Sequence, residues 1–233
     1  MSTTKRQARH AGLLYLLLAL SAPLGLLIVP GKVLVQGNAV ATADNLRSAE
    51  GLVRMGIASE LLHQAIVIFL VLALYRLFKP VDESLARQVV VLGALVSVPI
   101  VFVNVLNEIA ALTLVSGVDF LTVFARPQLD ALAYLFFRLH GQGITVASIF
   151  WGLWLFPFGL LVVRSRFIPR FLGYLLWVAG AAYVLDAFVT LILPRYVPQV
   201  SPVTGLLVMA EVPIIFWLLI WGARPQAGSA PGA

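Results

Sequence analysis

The chain has 233 residues, 61% of them hydrophobic and 11% charged, with a net charge of +6 and a mean hydropathy of +0.99. A soluble domain carries about 25% charged residues, so the composition is that of a polytopic membrane protein with no soluble domain beside it. The positive balance does not imply nucleic acid, because the basic residues are scattered at the ends of apolar runs rather than gathered on one face; the lack of cysteine excludes disulfides, thiolate catalysis and Cys-ligated metals.

Six apolar stretches reach the roughly 20 residues that a helix needs to cross hydrocarbon: 11–29, 56–78, 89–115, 141–163, 171–193 and 203–221. The first follows Lys5, Arg6 and Arg9, as the core of a signal peptide would. Its apolar run continues to Val29, however, and its best small-residue cleavage point, Ser21-Ala22, is followed by Pro23. The expectation is therefore a first transmembrane helix, kinked at Pro23 and Gly25. Residues 42–54 read equally well as an amphipathic helix lying on the outer surface and as a loop with a helical turn.

The second stretch contains Ser59-Glu60-Leu-Leu-His63-Gln64. Glu60, His63 and Gln64 stand at i, i+3 and i+4, so a helix puts them on one face. A charge at mid-bilayer costs about 3 kcal/mol, and such a group faces partners or a cavity. The third stretch passes Ser97 and Pro99 and repeats the pattern with Asn104, Asn107 and Glu108. The segment 116–138, with Asp119, Arg126-Pro127 and Asp130, reads as a loop whose apolar part is a short interfacial helix entering the fourth stretch. There Gly141, Thr145, Ser148, Gly152 and Gly159 form one small-residue face, suited to close helix packing. The five tryptophans read as packing and interfacial anchors. The fold expected is all-α, a bundle of six transmembrane helices forming one domain over residues 1–222, with a disordered tail at 223–233.

With both termini on the cytoplasmic side, ten of the 16 basic residues fall inside and six outside. This bias predicts an N-in, C-in protein of the cytoplasmic membrane. The inner basic residues also give a depth scale. Glu60 lies 16 residues from Arg76, Asn104 17 from Arg87, Asp186 16 from Arg170, and Glu211 and His63 each 13 from Arg224 and Arg76. All are then roughly 20–25 Å from the inner anchors, in one layer. Glu108, 21 residues from Arg87, and His140, 24 from Arg164, are expected nearer the outer surface, at a mouth.

Asn104, Asn107 and Gln64 taken singly read as interhelical hydrogen-bonding groups. The carboxylates do not, because no Lys or Arg shares the layer of Glu60, Asp186 and Glu211, so some must hold a proton or a bound cation. The expected function is binding of a cation, a proton or a small polar ligand in an outward-facing cavity lined by Glu60, His63, Asn104, Asp186 and Glu211, with Glu108 and His140 toward its opening. Glu60-Leu-Leu-His63 is half of a di-iron motif, but Phe137 stands where the second half needs an acid. A single Zn or Mn ion held by His63, His140 and Glu60 is easier to build. Two other classes remain open: a metal-dependent intramembrane enzyme acting on lipid, with a spare Glu as general base, and a structural or partner-binding membrane subunit. No His-Glu-x-x-His, phosphate-binding Gly loop or Gly-x-Ser-x-Gly elbow occurs.

Several passages together carry a resemblance: Ala11-Gly-Leu-Leu-Tyr15, Ala73-Leu-Tyr-Arg-Leu-Phe-Lys-Pro80, Phe150-Trp-Gly-Leu-Trp154 with Pro157, Arg164-Ser-Arg-Phe-Ile-Pro-Arg-Phe-Leu-Gly173, and Ala210-Glu211 ahead of Trp217-Leu-Leu-Ile-Trp-Gly222. Over about residues 6–222 the chain resembles the bacterial multi-pass family called domain of unknown function 4386. The resemblance implies an integral membrane protein and supplies no catalytic residues.

Overall fold

The computed structural model describes residues 3–224, which contain no strand. Six helical spans are long and apolar enough to cross a membrane: Thr3–Val33, Glu50–Phe78, Glu83–Val115, Arg126–Ser165, Arg170–Ile192 and Pro194–Ile220. Helices are the structure available to such a chain, since hydrocarbon offers no partner for a free backbone N–H or C=O. Each expected stretch overlaps one span. The fourth is the longest, because the expected interfacial helix runs on unbroken from Arg126 to Leu153. Of the tail expected to be disordered, Ala223 is buried, and the Arg224 N–H donates to the Phe167 carbonyl at 2.9 Å; residues 225–233 lie outside the described residues.

Two spans contain a π-helical segment. Leu24–Ile28 and Val91–Val96 are π-helical, and the Val29 N–H reaches back five residues to the Leu24 carbonyl. A proline cannot donate to the carbonyl four residues before it, and its ring crowds that carbonyl. Those carbonyls are Leu26 for Pro30 and Leu95 for Pro99, and each falls inside a π segment. The wider turn absorbs the conflict. The kink expected around Pro23 and Gly25 thus takes the form of a π segment that begins directly after Pro23.

The stretch 42–54 resolves into two helices. Ala39–Ser48 is a separate ten-residue helix whose Asn38 side chain accepts from the Ala41 N–H, and Glu50 already starts the second span. The first of them begins before residue 42 because Asn38 is a good N-cap. Thr42, Ala43 and Leu46 are its buried face.

The chain divides into two compact units. The first comprises the described residues of Met1–Leu18, Ile66–Val98 and Thr145–Ala233. Its core holds an aromatic run in which Trp154 stacks on Phe158 at 5.6 Å, Phe78 meets Phe158 edge-on, and Phe78 stacks on Phe167 at 5.7 Å. Lipid is as apolar as leucine, so close packing rather than water exclusion joins such helices. The means is visible in two glycine pairs between the fourth and fifth spans. A Cβ on Gly152 would stand 2.6 Å from the Gly180 carbonyl, and one on Gly180 2.8 Å from the Gly152 carbonyl; Gly159 and Gly173 face each other in the same way. The pairs are seven residues apart on both helices, which repeats the contact two turns later. Gly152 and Gly159 belong to the small-residue face read from the sequence.

The second unit comprises Ala19–Ala65 and Pro99–Ile144. Its core is built on Val29, Val33, Leu46, Val53, Ala111, Leu112, Ala133 and Phe137. Arg47 on the short helix bonds Asp130, which is 3% exposed, and reaches Asp44 at 2.9 Å.

Candidate functional site

The polar groups of the second unit come from three spans. Glu60, His63 and Gln64 share a face of the second, as their spacing dictates. Asn104, Asn107 and Glu108 come from the third, and His140 from the fourth. Asn104 and Asn107 act as a chain: Asn107 Nδ2 donates to Asn104 Oδ1 at 3.0 Å, and Asn104 Nδ2 donates to the His140 carbonyl at 2.8 Å. The amide nitrogen of Asn104 ties the third span to the fourth beside His140, while its oxygen is held by Asn107 on the same span. Gly143 makes this possible, because a Cβ there would overlap the Asn104 amide.

His140 stands between two acids. Its Nε2 lies 3.2 Å from Glu60 Oε1 and its Nδ1 3.8 Å from Glu108 Oε2. One donor atom from each of the three residues lies within 4.8 Å of the others. The site is sealed: Glu60 is 2% exposed, Glu108 0% and His140 3%. Neither oxygen of either carboxylate, nor His140 Nδ1, has a hydrogen-bond partner, so the 3.2 Å approach is close without being aligned. Buried carboxylates are normally paired and hydrogen-bonded, since an isolated one is very costly. Here two face a single imidazole. Even a protonated ring would leave one negative charge, whereas a divalent cation with neutral His140 balances the group.

Room for Glu60 comes from the first span. A Cβ at Gly25 would lie 2.5 Å from Glu60 Cγ and 2.9 Å from its Oε1. Ser59 anchors the same pair of helices, its hydroxyl donating to the Ser21 carbonyl at 2.5 Å. Gly25 and Gly143 were not singled out for the site by sequence reasoning. A glycine inside an apolar helix, facing no obvious kink, is the signal that could have found Gly143.

The remaining expected site residues have other surroundings. His63 is not in the three-residue group; its Nδ1 is 3.1 Å from Ser21 Oγ. Glu108 and His140, expected at a mouth above Glu60, lie against it. The depth scale misjudged them because basic side chains reach the interface from different depths, and the π segment in the third span alters the count between Arg87 and Glu108. Asp186 and Glu211 belong to the first unit. Asp186 Oδ1 accepts from Ser201 at 2.7 Å and Thr204 at 2.6 Å, and Glu211 accepts from the Tyr15 hydroxyl, with Tyr183 as a second phenolic neighbour.

The family described as domain of unknown function (DUF4386) matches residues 10–222. An uncharacterised protein of Archaeoglobus fulgidus is 31% identical over 81 residues, which are 35% of this chain and 47% of that protein; the chain thus matches about half the length of this curated relative. No solved structure matches.

Proposed function

For a chain that belongs to the DUF4386 family and carries six membrane-length helices, we propose the function of binding one divalent metal cation inside the membrane, through Glu60, Glu108 and His140. The observation that carries the reading is the convergence of two buried carboxylates and an imidazole with no hydrogen-bond partner on the carboxylate oxygens. The donor set fits a borderline ion such as Zn²⁺ or Mn²⁺. Zinc ligands at about 2.0–2.2 Å stand roughly 3.3–3.6 Å apart. The 3.2 Å separation already suits that, and the wider ones close by side-chain movement. Asn104 orients His140 through its backbone, and Gly25 holds open the space for Glu60. The protein lies in the cytoplasmic membrane with both termini inside, a reading supported by the ten-to-six basic bias.

Metal analysis of protein purified in detergent and equilibrated with Zn²⁺ tests this. The expected result is one ion per chain in the wild type, lost in Glu60→Gln and Glu108→Gln variants that keep their helix content. Wild-type protein without stoichiometric metal, or variants that retain it, would refute the assignment. A second reading follows from the ligand count, since three protein ligands and an open position are what catalytic zinc sites use. On that reading the loaded protein hydrolyses a lipid. Release of product from vesicles by Zn²⁺-loaded but not stripped protein is its test.

A further inference from the structure

The three-residue group is sealed, yet one of its members also borders a narrow seam, too tight as it stands to hold a water molecule. Glu60 forms part of the seam's lining with His63, Gln64 and Ser21, and Ala22, Leu26 and Val101 complete its apolar walls. All belong to the second unit. The seam's polar members differ in burial: His63 is half-buried, whereas Gln64 and Glu60 are both buried, at 1% and 2% exposed. Gln64 Oε1 has no hydrogen-bond partner. An amide oxygen without a partner at such burial costs about 1–3 kcal/mol, and packing alone gives no reason for a glutamine beside His63 in this lining. The contact from Ser21 Oγ to His63 Nδ1 at 3.1 Å sets the orientation of the ring.

We propose that this seam, once its walls part, is the loading path of the cation site, with His63 and then Gln64 as transient ligands that hand a divalent metal ion to Glu60. The proposal rests on the reading of Glu60, Glu108 and His140 as a cation site. A divalent ion entering a low-dielectric passage must exchange water for protein donors a few at a time. One face of one helix offers an imidazole, an amide oxygen and a carboxylate within two turns. Imidazole first in the sequence of donors selects borderline ions such as Zn²⁺, Mn²⁺ and Fe²⁺ over Mg²⁺ and Ca²⁺, which prefer oxygen throughout. His63 and Gln64 then govern how fast the site fills and which ion reaches it, while the three residues behind them govern how tightly it is held.

The experiment separates rate from occupancy. Full-length protein in detergent is stripped with a chelator and mixed rapidly with Zn²⁺, loading being followed by competition with a chromophoric zinc indicator and final occupancy by metal analysis. In His63→Ala and Gln64→Leu, loading is expected to slow about tenfold, the low end of what a local attracting group does to an on-rate, with final stoichiometry and unfolding temperature as in the wild type. Loading at the wild-type rate in both variants overturns the path. Loss of final occupancy in either also overturns it, because that residue would then be a resting ligand. Should one variant fail to fold, the other decides. Wild-type protein that takes up no Zn²⁺ at equilibrium refutes the site itself, a result distinct from a site that fills at unchanged speed.

Discussion

Gly25→Ala is a one-carbon change on a helix that supplies no ligand, and it is expected to weaken the cation site. The added Cβ would stand 2.5 Å from Glu60 Cγ, 2.9 Å from Glu60 Oε1 and 3.0 Å from the Gly56 carbonyl. Carbon atoms pack at about 3.5–4.0 Å, so Glu60 Cγ must retreat by roughly 1 Å or more. Metal sites tolerate about 0.2 Å in ligand distance. The carboxylate can swing on its own torsions, so the strain falls on the ligand more than on the backbone, and stability is expected to fall by only about 1–3 kcal/mol. Zinc affinity, measured by competition titration, should fall about 10–100-fold, the range for groups that orient ligands. Gly31→Ala is the control on the same span: a Cβ there meets nothing within 4 Å, and the loss of a helical glycine should raise stability by about 0.5–1 kcal/mol without touching affinity. If Gly25→Ala binds zinc like the wild type while its stability drops, Glu60 is not held as a ligand by that contact and the reasoning fails.

Gly180→Leu should break the fourth and fifth spans apart, since even a Cβ lies 2.8 Å from the Gly152 carbonyl; a loss of about 3 kcal/mol or more in detergent unfolding is expected, and a wild-type transition would contradict the reciprocal glycine packing. Asp130→Ala leaves Arg47 without its buried partner and should cost about 1.5–3 kcal/mol. Asp44→Ala, at the exposed side of the same arginine, should stay within about 0.5 kcal/mol; equal effects would remove the distinction. Orientation is read by thiol labelling in a chain that has no native cysteine. Ser84 and Ser116 are exposed, whereas Ser165 is buried and unsuited as a reporter. An impermeant reagent applied to intact cells should label Ser116→Cys and spare Ser84→Cys, and the reverse pattern would invert the topology.

The spans were legible because length and hydropathy alone determine what can cross hydrocarbon, and the wet faces of the second and third spans followed from i, i+3, i+4 spacing. Glu60, Glu108 and His140 were all recognisable as out of place in lipid. What the sequence withheld was which of them meet. Depth counted from Arg76, Arg87 and Arg164 grouped Glu60 with His63, Asp186 and Glu211 and set Glu108 and His140 apart, but arginine side chains reach the interface over several ångströms, and depth says nothing of azimuth. Asp186 and Glu211 are hydrogen-bonded by hydroxyls of Ser201, Thr204 and Tyr15, residue types too common in helices to stand out beforehand. In the sequence Gly25 reads as part of a kink; that it makes room for a carboxylate depends on a neighbouring helix that no local pattern specifies.

The π segment at Leu24–Ile28 makes the first span a matter of phase as well as length. Before it, Ser21 meets Ser59 and His63; after it, Val29 lies against Gly56. Both sets of contacts reach the second span, and they do so because the wide turn contains one residue more than an α-helix would use. Straightening this turn into a regular α-helix with every residue kept would leave hydropathy and composition untouched, yet it would turn one set about 100° away from the other. A relative that lacks one residue here can therefore keep both the serine contact and the valine seam on a regular α-helix, whereas a chain that keeps the residue needs the wide turn to hold the two in phase.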